Sequence, residues 1–152
     1  MGMENIFNDA DYHLTVQRIK SLTVDSKRRW GKMNINQMLE HCSIQLKLAL
    51  NLLPSKRYEG SFIFRTQLGR WLTLYVIPWP HGAATPSQMN MLKNNVAEQD
   101  FLTEKNQLLF LLGEIKQKQM LTPHPFYDEL NQKDWGRLIW KHINHHLKQF
   151  SQ

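Results

Sequence analysis

The sequence predicts an all-α protein in which four long helices pack as a bundle around one core. Apolar residues recur at helical spacing in four long segments, and no segment shows the clear alternation of a β-strand. Proline-rich stretches separate several of these segments, as is typical of loops between helices. The chain has 152 residues with no internal repeat or long linker, so residues 1–152 are expected to form a single domain.

The first two helices are predicted over residues 11–22 and from residue 34 to beyond residue 50. Asn34 fits the N-cap of the second helix, because its side chain can accept a bond from the third helical amide. Gln37, three residues on, can bond back to the amide of the cap. The sequence therefore places the start of the second helix at Asn34.

An insertion follows the second helix. Its apolar side chains recur at helical spacing and predict a short extra helix over residues 61–77; they are Phe64, Leu68, Trp71, Leu72 and Tyr75. The prolines within residues 78–86 then require a structured loop that is not helical. A short extra helix and a Pro-rich loop are thus expected between helices two and three.

The third and fourth helices are predicted over residues 98–119 and 132–149, with a second proline-rich loop at residues 122–125. Asn131 repeats the N-cap arrangement seen at the second helix. Asp134, at the third position, suits the positive end of the helix dipole. The start of the fourth helix is therefore expected directly after Asn131.

The composition is that of a globular protein of the cytoplasm. Hydrophobic residues make up 41% of the chain and charged residues 21%. No stretch approaches the ~20 continuous apolar residues of a membrane span, and the N-terminus lacks the pattern of a secretion signal. Cys42 is the only cysteine, so no internal disulfide can form. We therefore expect a cytoplasmic protein without a membrane segment.

The net charge of +6, from 19 Lys and Arg against 13 Asp and Glu, raises the alternative of a nucleic-acid-binding surface. The basic residues are scattered, however, and their tightest run is only residues 27–29. This pattern favours a solvated basic surface. Nucleic-acid binding is therefore the last of the functions considered.

Two of the seven histidines stand at the centre of the apolar face of the fourth helix. At about 100° per residue, His142 and His146 fall within about 20° of the middle of that face, and His145 falls at its edge. Two histidines one turn apart can bind one transition metal. The alternative is a pair of core histidines bonded to buried polar groups, but burying two imidazoles without a metal or polar partner is costly. Ile143 stands where a HExxH protease needs Glu, which excludes that class.

A metal would need a further ligand from elsewhere in the chain. His41 lies on the flank of the apolar face of helix two, where it could meet helix four. Periodicity alone gives it no advantage over the other candidates, which are His13, His81 and His124. Cys42 lies nearer the middle of that face and is interpreted as a buried small hydrophobic residue rather than a ligand.

The pattern of these motifs resembles the DinB/YfiT superfamily of metal-binding helical bundles. A His early in helix two is followed, on the last helix, by His-x-x-x-His and then by Gln three residues after the second His. Further blocks resemble an uncharacterised bacterial branch of that superfamily: Trp30-Gly31-Lys32-Met33, Gln37-Met38-Leu39-x-His41, Pro78-Trp79-Pro80-x-Gly82, His124-Pro125-Phe126, Asp134-Trp135-Gly136 and His142-x-x-His145-His146-Leu147-x-Gln149-Phe150. These blocks occur in the expected order from about residue 26 to residue 150, so the resemblance extends over nearly the whole chain.

The resemblance implies a DinB-like up-down four-helix bundle with one divalent metal on His41, His142 and His146. The metal could be zinc, nickel, iron or manganese, and open positions would remain for water or a low-molecular-weight thiol. The resemblance also implies that Gln149 contacts the last ligand, His146, without binding the metal itself. The chain departs from the branch pattern at His81 and, after Phe126, at Tyr127, and both departures concern the rim of the site.

The leading hypothesis is a metal-dependent enzyme acting on a small molecule, because characterised relatives in the superfamily include thiol-dependent transferases and isomerases. Thiol transfer and hydrolysis are the expected classes. The alternative is a non-catalytic metal-binding or stress-response module, and a homodimer is one assembly that either could form. No general base is identified. Glu40 and Asp134 are interpreted as surface or capping carboxylates, whereas Asp128 or Glu129 is the choice if an acid is used.

Overall fold

The structure, a computed structural model, describes residues 3–94 and 99–152. Within these ranges the α-helices are α1 (Asp9–Ser21), α2 (Ile35–Ala49), α3 (Gln67–Trp71), α4 (Met91–Asn94), α5 (Phe101–Gln117) and α6 (Gln132–Gln149). The described residues contain no β-strand, only an isolated bridge between His124 and Asp128. The prediction of an all-α fold is therefore confirmed.

The four long helices enclose the main hydrophobic core. α2 packs against α5 and α6, and α1 packs against the same two helices, so their contacts form a closed ring. Between them lie Leu39, Leu112, Trp135 and Ile139, each at most 1% exposed. Burial of one such side chain contributes about 1.5–3 kcal/mol, which makes packing the main source of helix stability here. In the described ranges, α1 and α2 are diagonal to each other, as are α5 and α6.

The two helices with predicted caps begin where expected. The Asn34 side chain accepts the Gln37 N–H at 2.8 Å, and the Gln37 side chain accepts the Asn34 N–H at 3.0 Å. This completes the capping box of α2. At α6, the Asn131 side chain accepts the Asp134 N–H at 2.8 Å. Both predicted helix starts are confirmed.

The other two long helices differ from prediction at their ends. Asn8 caps α1, which therefore begins at Asp9, two residues before the predicted start. The predicted third helix begins at residue 98, which lies outside the described residues. In the structure Asp100 caps this helix, and α5 runs from Phe101 to Gln117. No helix in residues 3–94 or 99–152 combines the length and apolar character that crossing a membrane requires.

The single extra helix predicted over residues 61–77 is wrong. The chain instead forms a 3-10 turn (Phe62–Arg65), α3 and a π-helical turn (Leu72–Val76). Thr66 breaks the helix, because its backbone is extended (ψ 151°) and its hydroxyl caps the Gly69 N–H. A side chain at Gly69 would stand 1.9 Å from the Ile63 carbonyl oxygen, so the two segments meet where only glycine fits. The predicted non-helical loop after Ile77 is present.

The insertion ties together the two helices that carry the histidine motifs. The π-helical turn packs on α6, and the 3-10 turn Ser87–Met89 packs on α2. Carbonyl groups that the π-helical turn leaves free are bound by cations of α6. Lys141 Nζ donates to the Thr73 and Ile77 oxygens, each at 2.6 Å, and Arg137 Nε donates to the Leu74 oxygen at 3.0 Å. The insertion therefore forms a cover over the α2–α6 contact.

Candidate metal centre

His41 of α2 meets His142 and His146 of α6 where these two helices pack. Each histidine offers one ring nitrogen, and the three atoms lie within 4.8 Å of one another. The Nε2 atoms of His41 and His142 are 2.8 Å apart. All three residues are buried, with at most 7% of their surface exposed. The structure therefore brings together the three histidines that were predicted to meet.

Helix geometry explains the convergence. His142 and His146 are one turn apart, so their side chains lie on one face of α6, together with the fully buried Ile139 and Ile143. His41 extends from α2 across the α2–α6 contact, and its ring lies 4.7–4.8 Å from the other two ring centroids. The interhelical packing that buries the apolar residues thus also brings the imidazoles together.

The second ring nitrogen of His41 and of His142 is held by an oxygen. His41 Nδ1 lies 2.7 Å from the Met89 carbonyl oxygen, and His142 Nδ1 lies 2.8 Å from Gln45 Oε1. A backbone carbonyl oxygen only accepts, so Nδ1 of His41 carries the proton, and Nδ1 of His142 carries it with the Gln45 amide oriented as it is in the structure. The lone pair of each Nε2 then faces the other ring, which is the tautomer that a metal ligand needs.

His146 is oriented in the same way by Gln149. Its Nδ1 donates to Gln149 Oε1 at 2.9 Å, and Gln149 Nε2 donates to the Trp30 carbonyl oxygen at 2.8 Å. The second bond fixes which end of the amide faces the histidine. Gly31 allows this close approach, because a Cβ there would stand 2.4 Å from Gln149 Nε2 and the backbone has φ +81°. The loop before α2 therefore helps to orient a histidine of α6.

The three imidazoles are neutral at pH 7. Burial lowers the pKa of His41 to about 4, and burial together with the nearby charge of His41 lowers the pKa of His142 and His146 well below the usual value. With Nδ1 protonated on both rings, the Nε2 lone pairs of His41 and His142 repel one another at 2.8 Å unless a cation lies between them. This donor set fits a divalent transition metal.

A pocket of about 680 Å³ opens onto the histidines. Its walls are largely apolar and come from the loop before α2, the insertion and the loop before α6; they include Met33, Phe64, Ile77, Trp79, Phe126 and Tyr127. No carboxylate from the described ranges lines it, and none joins the three histidines as a further ligand. A metal held here would keep open positions facing the pocket.

The family relationship is visible over nearly the whole chain. The model of a family described as "Protein of unknown function (DUF1569)" matches residues 6–152. The chain belongs to the DUF1569 family. No curated protein and no solved structure matches it.

The remaining histidines of this DUF1569 protein are not among the three grouped ring nitrogens, although the ring of His145 lies 5.1 Å from that of His146. His145 is half-buried at the pocket, with its ring 5.8 Å from that of Trp30. His81 stacks on Trp30 at 4.0 Å and nearly parallel to it, and its ring lies 6.3 Å from that of His145. His13, also considered as a ligand, contacts Tyr12. His81 and His145 thus contribute to an aromatic rim rather than to the cluster of three.

Cys42 of this DUF1569 protein is buried, as predicted. Its side chain is 1% exposed, and its Sγ lies 3.9 Å from the Met38 sulfur. Burial raises the pKa of the thiol, so the residue carries a neutral S–H at pH 7. Cys42 lies outside the group of histidines, which agrees with its interpretation as a small hydrophobic residue.

The structure places the carboxylates considered as acids away from the pocket. Asp128 pairs with Arg57 through a short ion pair, and Glu129 is exposed outside the pocket lining. Neither Asp128 nor Glu129, the choice if an acid is used, lines the pocket in the structure. Glu40 binds Lys47 at 3.1 Å, and Asp134 accepts the Tyr75 hydroxyl at 2.5 Å.

Two groups that hold the cluster are not evident from the sequence pattern. Gln45 lies four residues after His41 on the same face of α2, and this spacing is the signal that could have found it. The contact between His41 and the Met89 carbonyl depends on the path of the insertion, and a backbone carbonyl leaves no mark in a sequence. His124 is not part of the cluster; its Nδ1 accepts the Phe126 N–H at 3.0 Å.

Proposed function

We propose that this DUF1569 protein is a metal-dependent enzyme of the DinB/YfiT-like superfamily, with one divalent metal on His41, His142 and His146. The observation that carries the proposal is the convergence of the three rings beneath a pocket, with each Nδ1 held by an oxygen. The motifs on α2 and α6 and the ring of four long helices support a DinB-like bundle formed by residues 1–152.

The proposed chemistry is thiol transfer or hydrolysis on a small molecule. When bound, a divalent metal at three neutral imidazoles would act as a Lewis acid toward water or a thiol. The protein's own groups orient the three rings and exclude bulk water. Gln45 and Gln149 hold the protons at Nδ1 of His142 and His146, and the apolar walls form a site of low polarity.

A catalytic rather than a purely structural role is favoured by the pocket. Structural zinc sites are closed by four protein ligands, whereas catalytic sites keep a position open. In the described residues three histidines form the cluster, and it faces a pocket of about 680 Å³. A non-catalytic metal-binding module is the alternative that the following experiment separates.

The first test measures the metal content of protein purified without a histidine tag, by elemental analysis. We expect about one equivalent of a divalent transition metal in the wild-type protein. His146→Gln nearly preserves side-chain volume but offers a poorer ligand than imidazole, so this variant should lose most of the metal. His145→Gln is the matched control, because His145 precedes the ligand on the same helix but lies outside the cluster. It should keep the metal.

The outcomes separate the two roles. For a catalytic metal, His146→Gln should stay folded while losing metal and any activity found in a thiol-transfer or hydrolase screen. For a structural metal, the same variant should unfold at a clearly lower temperature, in step with metal loss. Full metal retention in His146→Gln, or a metal-free wild-type protein after growth with added metal, would refute the site.

A further inference from the structure

His124 is a buried histidine in the pocket wall that the metal centre does not use. It lies in the loop before α6 and is 4% exposed. Its ring packs 5.1 Å from that of Tyr127 and 5.3 Å from that of Trp135. It also lines the same pocket as the three clustered histidines. A polar ring in an apolar wall needs either an internal partner or a ligand.

The Nδ1 atom of His124 is already hydrogen-bonded within the protein. Nδ1 accepts the N–H groups of Phe126 and Tyr127 at 3.0 and 3.4 Å. Backbone amides only donate, so Nδ1 carries no proton. Burial also lowers the pKa of His124 to about 3, which leaves the ring neutral at pH 7. The single ring proton is therefore fixed on Nε2.

The Nε2–H group of His124 is free to donate a hydrogen bond. Within residues 3–94 and 99–152, no group accepts a hydrogen bond from His124 Nε2. This atom is nevertheless not among the described polar atoms that are both unpaired and sealed from solvent. Nε2 therefore keeps some accessible surface, and the pocket is the space that His124 lines. An N–H left without a partner on binding an apolar ligand would cost about 1–3 kcal/mol.

We propose that His124 Nε2–H binds the acceptor oxygen of an uncharged carbonyl compound with an aromatic or branched apolar body. A neutral imidazole supplies one directed hydrogen bond and no charge, which suits a neutral acceptor. The surrounding wall favours an apolar body through Phe64, Trp79 and Phe126. This inference deepens the proposed function and rests on it in one respect, since it takes the pocket as the substrate site.

Two substitutions separate the two ring nitrogens of His124. Asn places an acceptor near the position of Nδ1 and has no donor at the position of Nε2. Gln places an amide near the position of Nε2 and has no acceptor near Nδ1. His124→Asn should therefore keep the bonds to the Phe126 and Tyr127 amides and lose the donor in the pocket. His124→Gln should do the reverse, and serves as the matched control.

The probes are acetophenone and α-methylstyrene, which differ by a carbonyl oxygen against a methylene group. Binding is followed by NMR of the indole N–H groups of Trp30 and Trp79, in full-length protein stripped of metal with a chelator. His124→Asn should bind acetophenone about 5-fold more weakly than wild type, the effect of one neutral hydrogen bond. Its affinity for α-methylstyrene should not fall and should rise if anything, because the variant lacks the N–H that this probe leaves without a partner, and His124→Gln should retain more acetophenone affinity than His124→Asn.

A measurement on the wild-type protein keeps the test decisive if a variant fails to fold. In protein labelled with ¹⁵N-histidine, acetophenone should move the Nε2 signal of His124 and leave its Nδ1 signal nearly unchanged. An equal loss of affinity for both probes in His124→Asn, an unmoved Nε2 signal, or no binding of acetophenone at millimolar concentration would overturn the inference. Because the protein is metal-free, these results are independent of the metal content on which the proposed function depends.

Discussion

Replacing Gln45 by Leu removes an amide group, and with it a hydrogen-bond acceptor, from the centre of the molecule. The volume of the side chain changes little. Gln45 is 2% exposed, and its Oε1 accepts the proton at Nδ1 of His142 at 2.8 Å. Leu keeps the apolar contacts but leaves that N–H without an acceptor. The His142 ring is then free to rotate or to move its proton to Nε2, where the proton blocks metal binding.

The loss should appear in metal affinity more than in the fold. Removing a group that orients a histidine ligand typically lowers metal affinity 10- to 100-fold, which corresponds to about 1.4–2.7 kcal/mol. At fixed, saturating metal the same free energy is lost from the folded state. For a chain of this size, each kcal/mol lowers Tm by about 2–4 °C, so the metal-loaded variant should melt roughly 3–11 °C below the metal-loaded wild type.

The assay pairs a chelator competition, which gives the metal Kd, with thermal unfolding of the loaded and the metal-free protein. Gln45→Glu is the matched control. It keeps an oxygen against Nδ1 of His142 and adds a charge that increases the basicity of the ring, so metal affinity should be equal to that of wild type or higher. The buried carboxylate should at the same time destabilise the metal-free protein.

The reasoning is refuted if Gln45→Leu binds metal as tightly as wild type. It is also refuted if the Leu and Glu variants lose metal affinity to the same extent, since that result would assign the effect to packing. A drop in Tm confined to the metal-free Leu variant would likewise show that Gln45 supports the fold and not the site.

Three further predictions follow from single contacts. Gly31→Ala should lower the free energy of unfolding by about 1–2 kcal/mol in chemical denaturation, because its φ of +81° is costly for any residue with a Cβ, whereas Lys32→Ala should not. The folded-state pKa of His124, about 3, lies below its ordinary value of 6.5, so its contribution to stability is complete above pH 6.5 and is lost as the pH falls toward 3. His124 should contribute at most about 1.4 kcal/mol per pH unit to the slope of stability against pH, so the slope should be smaller by that share in His124→Asn, where His41, His142 and His146 still contribute; a pH-independent difference between the two proteins would contradict this. Cys42 should react with a bulky thiol reagent only after unfolding, and rapid labelling of the native protein would show that it is accessible.

The long helices could be predicted because their signals are local. A capping side chain and its partner lie three residues apart, as at Asn34 and Gln37, and an apolar face repeats within a few turns. The path of the insertion could not be predicted from periodicity. Thr66 ends one helical segment and caps the next, although the apolar residues on both sides continue at helical spacing. Leu68 and Trp71, which contribute to that pattern, are more than half exposed.

The part of the site that could be predicted is the part that depends on residue spacing within one helix. The spacing of His142 and His146 places them together on α6, whereas the choice of His41 rested on family resemblance and required the α2–α6 contact. The ring order of the helices depends on the long connections 22–34 and 118–131, each of which joins diagonal partners. Contacts such as Met89 to His41 arise only from that tertiary arrangement.

The distance along the chain between the clustered histidines has a consequence for how the protein matures. His41 and His142 are separated by 101 positions, and most of the polypeptide must be synthesised and folded before their rings meet. In an unfolded chain, closing that long loop costs conformational entropy, and only then are all three nitrogens close enough to bind one metal. The metal proposed for this site would therefore bind late and slow unfolding, while a nascent or partly degraded chain would offer at most the His142–His146 pair. Metal supply would in this way affect the lifetime of the protein in the cell as well as its activity.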